Sequence, residues 1–149
     1  MECEICDIKK NNKDLIFETD FWRVFLSWSQ RYLGRCYIFP KRHFGSLSAM
    51  TDEEVLDFLK VVKKVEGVIR KAFGAEMFNW SCLMNSFYKK ENPDPHVHWH
   101  VRPRYKEKVL FSGKTFEDKE FGHHYSRDDR VVEAKEMRLA IVKEIQNNL

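Results

Sequence analysis

No stretch of this 149-residue sequence is long and apolar enough to span a bilayer, so no membrane helix is expected. The opening residues, MECEICDIKK, lack the apolar segment of a secretory signal, which makes the cytoplasm the default location. Charge of one sign is scarce. The 26 Lys and Arg against 23 Asp and Glu leave a net charge of +3. That excess is too small and dispersed to argue for a nucleic-acid partner, yet it would not repel a phosphorylated small molecule. Repeats, low-complexity tracts and linkers are missing, so residues 1–149 read as one domain with room for a sizeable core. Cysteine is limited to 4 residues. In a reducing compartment these suggest metal ligands or free thiols before disulfides. What is present, 43% hydrophobic and 33% charged residues, is the balance of a soluble globular protein.

The elements follow from period and punctuation. DLIFET and DFWRVFLSW read as short strands, the second with Trp22, Val24 and Leu26 alternating against Phe21, Arg23 and Phe25. GRCYIFP is a third strand, ended by Pro40. Thr51 and Glu54 form a capping box for a long helix whose apolar stripe is Val55, Phe58, Leu59, Val62, Val65 and Ile69, with Gly74 as its stop. EMFNWSCLMN reads as a strand, SFYKKENPDP as a polar turn region, and the segment after it as a further strand. Residues 104–127 are loop-like and aromatic, with a short strand at KVLF. A final helix is expected from about Asp129, with Ala134, Met137, Ile141 and Ile145 on one side. The order β-β-β-α-β-β-α implies an α+β fold with a mainly antiparallel sheet.

The segment PDPHVHWHVRP, residues 93–103, carries half of the six histidines at every second position. On a strand His96, His98 and His100 share one face, while Val97, Trp99 and Val101 anchor the other. Neighbouring imidazoles then start about 6.5–7 Å apart and the outer pair about 13 Å apart. A regular strand therefore does not bring three ligands to one ion. The row is a candidate catalytic group, because side chains that titrate near neutrality rarely cluster without a task. A solvated strand face is the competing reading.

Cys3 and Cys6 have the Cys-x-x-Cys spacing of half a zinc knuckle, and the chain has no second such pair. Free thiols or a redox pair are the alternatives, although a redox pair would open a helix in a thioredoxin-like unit not seen here. Cys36 and Cys82 lie in apolar strands and read as core thiols. His123 and His124, a tandem in the tail, receive no role.

HVHWHVRPR resembles the histidine-triad (HIT) signature, His-φ-His-φ-His-φ-φ with φ apolar, except that Arg102 takes the last apolar place. YIFPKRHFGSLSAMTDEE is similar to the family's strand, Pro-Lys-x-His turn and first-helix opening, and CEIC to the N-terminal cysteine pair of many members. The likeness covers residues 3 to about 105. The tail FSGKTFEDKEFGHHY resembles an extension found in some bacterial-type members. The resemblance implies a single HIT-like domain over residues 1–149, with about five strands, one long helix, and residues 106–149 as a C-terminal extension ending in a helix. It also implies a homodimer.

For function, the resemblance implies hydrolysis or transfer of nucleotides through a covalent nucleotidyl-histidine. His98 would be the nucleophile, held by the carbonyl of His96, and His100 would attend the phosphate and leaving group. Transferase relatives carry glutamine at the third place, so His100 favours a hydrolase. Substrates would be nucleoside phosphoramidates or dinucleoside polyphosphates, cut at the α-phosphate. Asn85 and Asn92 sit where the family keeps amides able to donate to phosphate, and Asn92 also reads as a plain Asn-Pro turn. Ser27 stands where relatives hold the ribose with Asp or Asn, and Arg35 where they often have another histidine; Arg35 could offer phosphate a cation. The base pocket would come from the apolar N-terminal strands, with Ile16, Phe17 and Phe25 as candidate walls or plain core. Family members with the cysteine pair complete it with the positions of His43 and His96, so a structural zinc on Cys3, Cys6, His43 and His96 is implied. A metallohydrolase and a non-catalytic nucleotide-binding module are the competing functions.

Overall fold

A computed structural model describes residues 3–8, 10, 12–127 and 130–149. The N-terminal helix α1 is Glu4–Ile8. Strands β1 (Leu15–Glu18), β2 (Trp22–Leu26) and β3 (Cys36–Pro40) follow, then the long helix α2 (Asp52–Phe73), β4 (Met77–Ser81) and β5 (Trp99–Arg104). These five strands form one sheet in the order β1-β2-β3-β5-β4, with every neighbouring pair antiparallel. The expected α+β class with a five-stranded antiparallel sheet is the fold observed. The first three strands form a meander, with β2 and β3 joined through residues 27–35, and β5 lies in the interior between β3 and β4.

Both sheet faces are covered. Trp22, Val24 and Leu26 of β2 and Ile38 of β3 join Val61, Val65, Ile69 and Phe73 of α2 in the main core. A smaller cluster collects Phe25 and Phe39 with Cys3 and Ile5 of the N-terminal segment. Helix α2 begins as expected: the Thr51 hydroxyl accepts from Glu54 N at 3.2 Å, and the Glu54 carboxylate accepts from Thr51 N at 2.8 Å. Gly74 ends it at φ 78°, a left-handed conformation that favours glycine.

The inward stripe of α2 is rotated from the expected one. Val61, Val65, Val68, Ile69 and Phe73 are buried, whereas Val55 and Leu59 are exposed. Polar anchors set this rotation. Buried Asp57 accepts from the Thr19 hydroxyl and from Phe21 N, and the Trp22 indole donates to the Glu54 carbonyl. The first turns of α2 therefore turn carboxylates, not Val55 and Leu59, toward the sheet.

Two further expectations are revised. Residues 104–127 are more structured than a loop: Arg104 closes β5, and β6 (Val109–Phe111) pairs with β7 (Lys114–Phe116) across a Ser112-Gly113 turn with both φ positive. The final helix α3 is Lys135–Asn147, burying Ile141 and Ile145, with Met137 half-buried and Ala134 at its exposed start. Its expected beginning at Asp129 lies outside the described residues.

The C-terminal extension is pinned to β5 through Arg104, which has no exposed surface. Its guanidinium donates to both Asp118 oxygens at 2.7 and 3.1 Å, to Asn79 Oδ1, and to the Glu120 and His123 carbonyls. The Tyr105 hydroxyl donates to the Leu33 carbonyl at 2.6 Å beside it. Among the described residues no helix is long and apolar enough to cross a membrane.

Candidate active site and metal centre

The histidine row is not one regular strand. The ladder of β5 starts at Trp99, so His100 lies in it while His96 and His98 precede it. The prolines at 93 and 95 lack the N–H groups a ladder needs, and Val97 N is taken by the Phe44 carbonyl at 2.8 Å. Freed from strict alternation, the row divides. The rings of His98 and His100 approach to 4.9 Å between centroids, while His96 is fully buried against the cysteine pair.

His98 is held by one nitrogen. Its Nδ1 lies 2.9 Å from the His96 carbonyl oxygen. A carbonyl only accepts, so Nδ1 carries the proton and Nε2 keeps its lone pair. Burial pushes the imidazole below its ordinary value, and the His96 carbonyl only partly offsets that effect. The net lowering suits a neutral imidazole, and the bond to the His96 carbonyl leaves Nε2 available as a nucleophile or base. The His100 ring meets Tyr37 edge to face at 5.0 Å, its cross-strand neighbour on β3.

These two histidines open onto a cleft of about 440 Å³. Phe25, Tyr37, Phe39 and Phe87 contribute aromatic surface, with Phe39 and Phe87 also flanking the His98 ring at 6.4 and 5.9 Å. Trp28, 55% exposed, stands at its edge. Glu4, Ile5, Asp7 and Ile8 of α1, with Asp14, complete the lining. An apolar pocket with a few converging polar groups is the usual form of a small-molecule site.

The substrate candidates fall mostly outside this lining. Asn85 and Asn92 are exposed and do not line the cleft, although Ser86 and Phe87, next to Asn85, do. Ser27 has no exposed surface, and its Oγ accepts from Ser29 N at 3.3 Å within its own turn. Arg35 is buried with its guanidinium over the Tyr37 ring at 5.6 Å. Of the candidate walls, Phe25 reaches the cleft, while Ile16 and Phe17 are in the main core. Sequence reasoning passed over Trp28, Tyr37, Phe39, Phe87 and the whole of α1. The alternation of β2 and β3 does place Phe25, Tyr37 and Phe39 on one face, and that was the available signal.

The first histidine of the row joins a cluster of residues that could hold a metal ion. One ligand atom from each of Cys3, Cys6, His43 and His96 lies within 4.8 Å of all the others. Cys3 Sγ is 3.3 Å from His96 Nδ1, and Cys6 Sγ is 3.6 Å from Nδ1 of both His43 and His96. Thiolate and imidazole ligands at about 2.3 and 2.0–2.1 Å from a tetrahedral ion stand about 3.5 Å apart, so the donor set fits a metal. His43 Nε2 is 3.2 Å from the Pro95 carbonyl and 3.2 Å from Asp94 Oδ1, which orients the ring with Nδ1 toward the cysteines. The turn behind His43 is close to Pro95: a Cβ on Gly45 would meet Pro95 Cγ at 2.9 Å. Cys36, in contrast, is a core thiol whose pKa burial pushes up to about 12.

Comparison with known proteins places this geometry in a lineage. The chain is 31% identical over 106 residues to the adenosine 5'-monophosphoramidase of Schizosaccharomyces pombe, covering 70% of this chain and 75% of that protein. It is 26% identical over 102 residues to the galactose-1-phosphate uridylyltransferase of Thermotoga maritima, covering 67% of this chain but only 32% of the enzyme. Among solved structures, a hypothetical histidine triad nucleotide-binding protein from Sulfolobus tokodaii aligns with a TM-score of 0.72 at 20% identity, over 98% of this chain and 91% of that one. A Zn-bound histidine triad family protein from Mycobacterium smegmatis aligns at 0.62 and 18%, over 99% and 95%. Residues 9–107, which run from the end of α1 past the histidine row, match the HIT domain model, and the chain belongs to the HIT domain family.

Proposed function

We propose that this chain is a nucleotide hydrolase that cleaves nucleoside phosphoramidates or dinucleoside polyphosphates at the α-phosphate through a nucleotidyl-His98 intermediate. The observation that carries the reading is the hydrogen bond from His98 Nδ1 to the His96 carbonyl, beside a nucleotide-sized cleft. In the first step His98 Nε2 bonds to phosphorus, and the bond from phosphorus to the leaving nitrogen or oxygen breaks. His100, against the His98 ring, attends that leaving group and the phosphate. In the second step water attacks phosphorus, the P–N bond to His98 breaks, and the nucleoside monophosphate leaves with Nε2 restored.

Asn85 and Asn92 remain the proposed contacts to phosphate and ribose; Ser27 and Arg35, both buried and outside the cleft lining, would reach a substrate only after a rearrangement. Cys3, Cys6, His43 and His96 would hold a structural zinc, whose chemistry is to fix the N-terminus against the catalytic segment. That reading is supported by the donor set and by the Zn-bound M. smegmatis relative. A cytoplasmic location, where thiolates stay reduced, suits it. The reading also takes residues 1–149 as one domain and the protein as a homodimer; exposed Val55, Leu56 and Leu59 on α2 and the edge position of β4 support the latter.

The test is turnover of adenosine phosphoramidate and diadenosine tetraphosphate by wild type and His98→Ala. Loss of about a thousandfold or more is expected for a covalent catalyst. Turnover within a few-fold of wild type would remove His98 from that role. The uridylyltransferase relative gives a second reading, nucleotidyl transfer; it wins if a sugar phosphate acceptor captures the nucleotide faster than water does. Metal analysis checks the zinc, with one ion per chain expected.

A further inference from the structure

Helix α1 has only five residues, far below the roughly 12–15 at which an isolated helix becomes even marginal in water. Something else must hold it in place. Two attachments are visible. Ile5 is buried with Phe25 and Phe39, and the donors Cys3 and Cys6 lie just before the helix and within it. The spacing divides its faces: Cys3 and Cys6 are three apart and turn to the histidines, while Ile5 and Ile8, also three apart, turn to the cleft.

The cleft is lined by His98 and His100 together with Ile5 and Ile8 of α1. The carboxylates of Glu4, Asp7 and Asp14 in its lining are paired with Lys90, Lys10 and Arg138 at 3.1, 2.6 and 3.2 Å. On the reading above the phosphate goes to the histidines, which leaves the aliphatic and aromatic side chains, Ile5 and Ile8 among them, for a flat base.

We propose that the metal centre and the nucleotide cleft share this wall: the ion on Cys3, Cys6, His43 and His96 fixes α1, and α1 presents Ile5 and Ile8 to the nucleoside, so metal occupancy sets nucleotide affinity. The inference rests on the zinc and nucleotide readings above, but not on catalysis. Linkage makes the coupling reciprocal: zinc tightens nucleotide binding by the same factor by which nucleotide tightens zinc.

The test is binding of adenosine 5'-monophosphate, followed by calorimetry, on zinc-loaded and chelator-stripped full-length protein. The dissociation constant is expected to rise tenfold or more on stripping. Saturating nucleotide should raise zinc affinity, measured with a chromophoric chelator, by the same factor. Equal nucleotide affinity in the two forms overturns the coupling, as does failure of the protein to bind zinc or the nucleotide. To separate the coupling from unfolding of the stripped chain, Ile8→Glu is measured with one zinc bound; binding as tight as wild type overturns the shared wall, and a loss of fivefold or more supports it. Zinc-dependent nucleotide binding without turnover would leave this inference standing and remove the hydrolase. Turnover that depends on His98 but not on zinc would do the reverse.

Discussion

The histidine segment is gripped at both ends by parts of the chain far from it in sequence, and the two grips are built differently. Before β5, His96 meets Cys3 and Cys6 from the N-terminal segment and His43 from the turn after β3. At the end of β5, Arg104 meets Asp118 and two carbonyls of the C-terminal extension. The C-terminal grip is complete in itself: opposite charges and hydrogen bonds satisfy one another inside the protein. The N-terminal grip is a convergence of donors that a bound ion would tie together. One end is permanent, and the other is conditional. His98 and His100 lie between them, so their surroundings have a fixed side and an adjustable one.

The largest effect expected from breaking this contrast is at the permanent end. Asp118→Ala leaves the Arg104 cation buried without its carboxylate and should cost about 3–5 kcal/mol, read by denaturant unfolding. The loss should be the same with and without chelator. A chelator-dependent loss would mean that the two grips are not separate. Next is the orienting partner of the conditional end. Asp94→Ala should weaken zinc about tenfold, or about 1.4 kcal/mol, the low end of such effects because Pro95 also holds the ring. A competition titration against a chelator reads it, and unchanged affinity would show that the Pro95 carbonyl suffices. The smallest effect is expected for Tyr105→Phe, which removes the buried bond to Leu33 beside Arg104. It should cost about 1 kcal/mol, equally in zinc-loaded and stripped protein.

Much of this was legible in the residues. Capping by Thr51 and Glu54, the stop at Gly74, and the alternation of β2 are local rules, and the structure follows them. The stripe of α2 was misplaced because the inward turn of Glu54 and Asp57 depends on partners at Thr19, Phe21, Arg42 and Trp22, which no helical period contains. The histidine row was legible as chemistry but not as geometry. Its strand assignment failed where Phe44, some fifty positions away, took the Val97 N–H that a ladder would have used. The cleft lining at α1 was hidden for the same kind of reason: MECEICDIKK gives the cysteine spacing, but only tertiary packing decides which side of that short helix meets Phe25 and Phe39.

Gly45 has a consequence of its own. It is not kept for an unusual backbone angle; the space for a side chain is already filled by Pro95. Adding a single methyl group there would push the turn that carries His43 away from the residue that precedes His96. Position 45 is therefore a shim between two of the four candidate donors. A substitution there would shift their separation with all four donor residues intact.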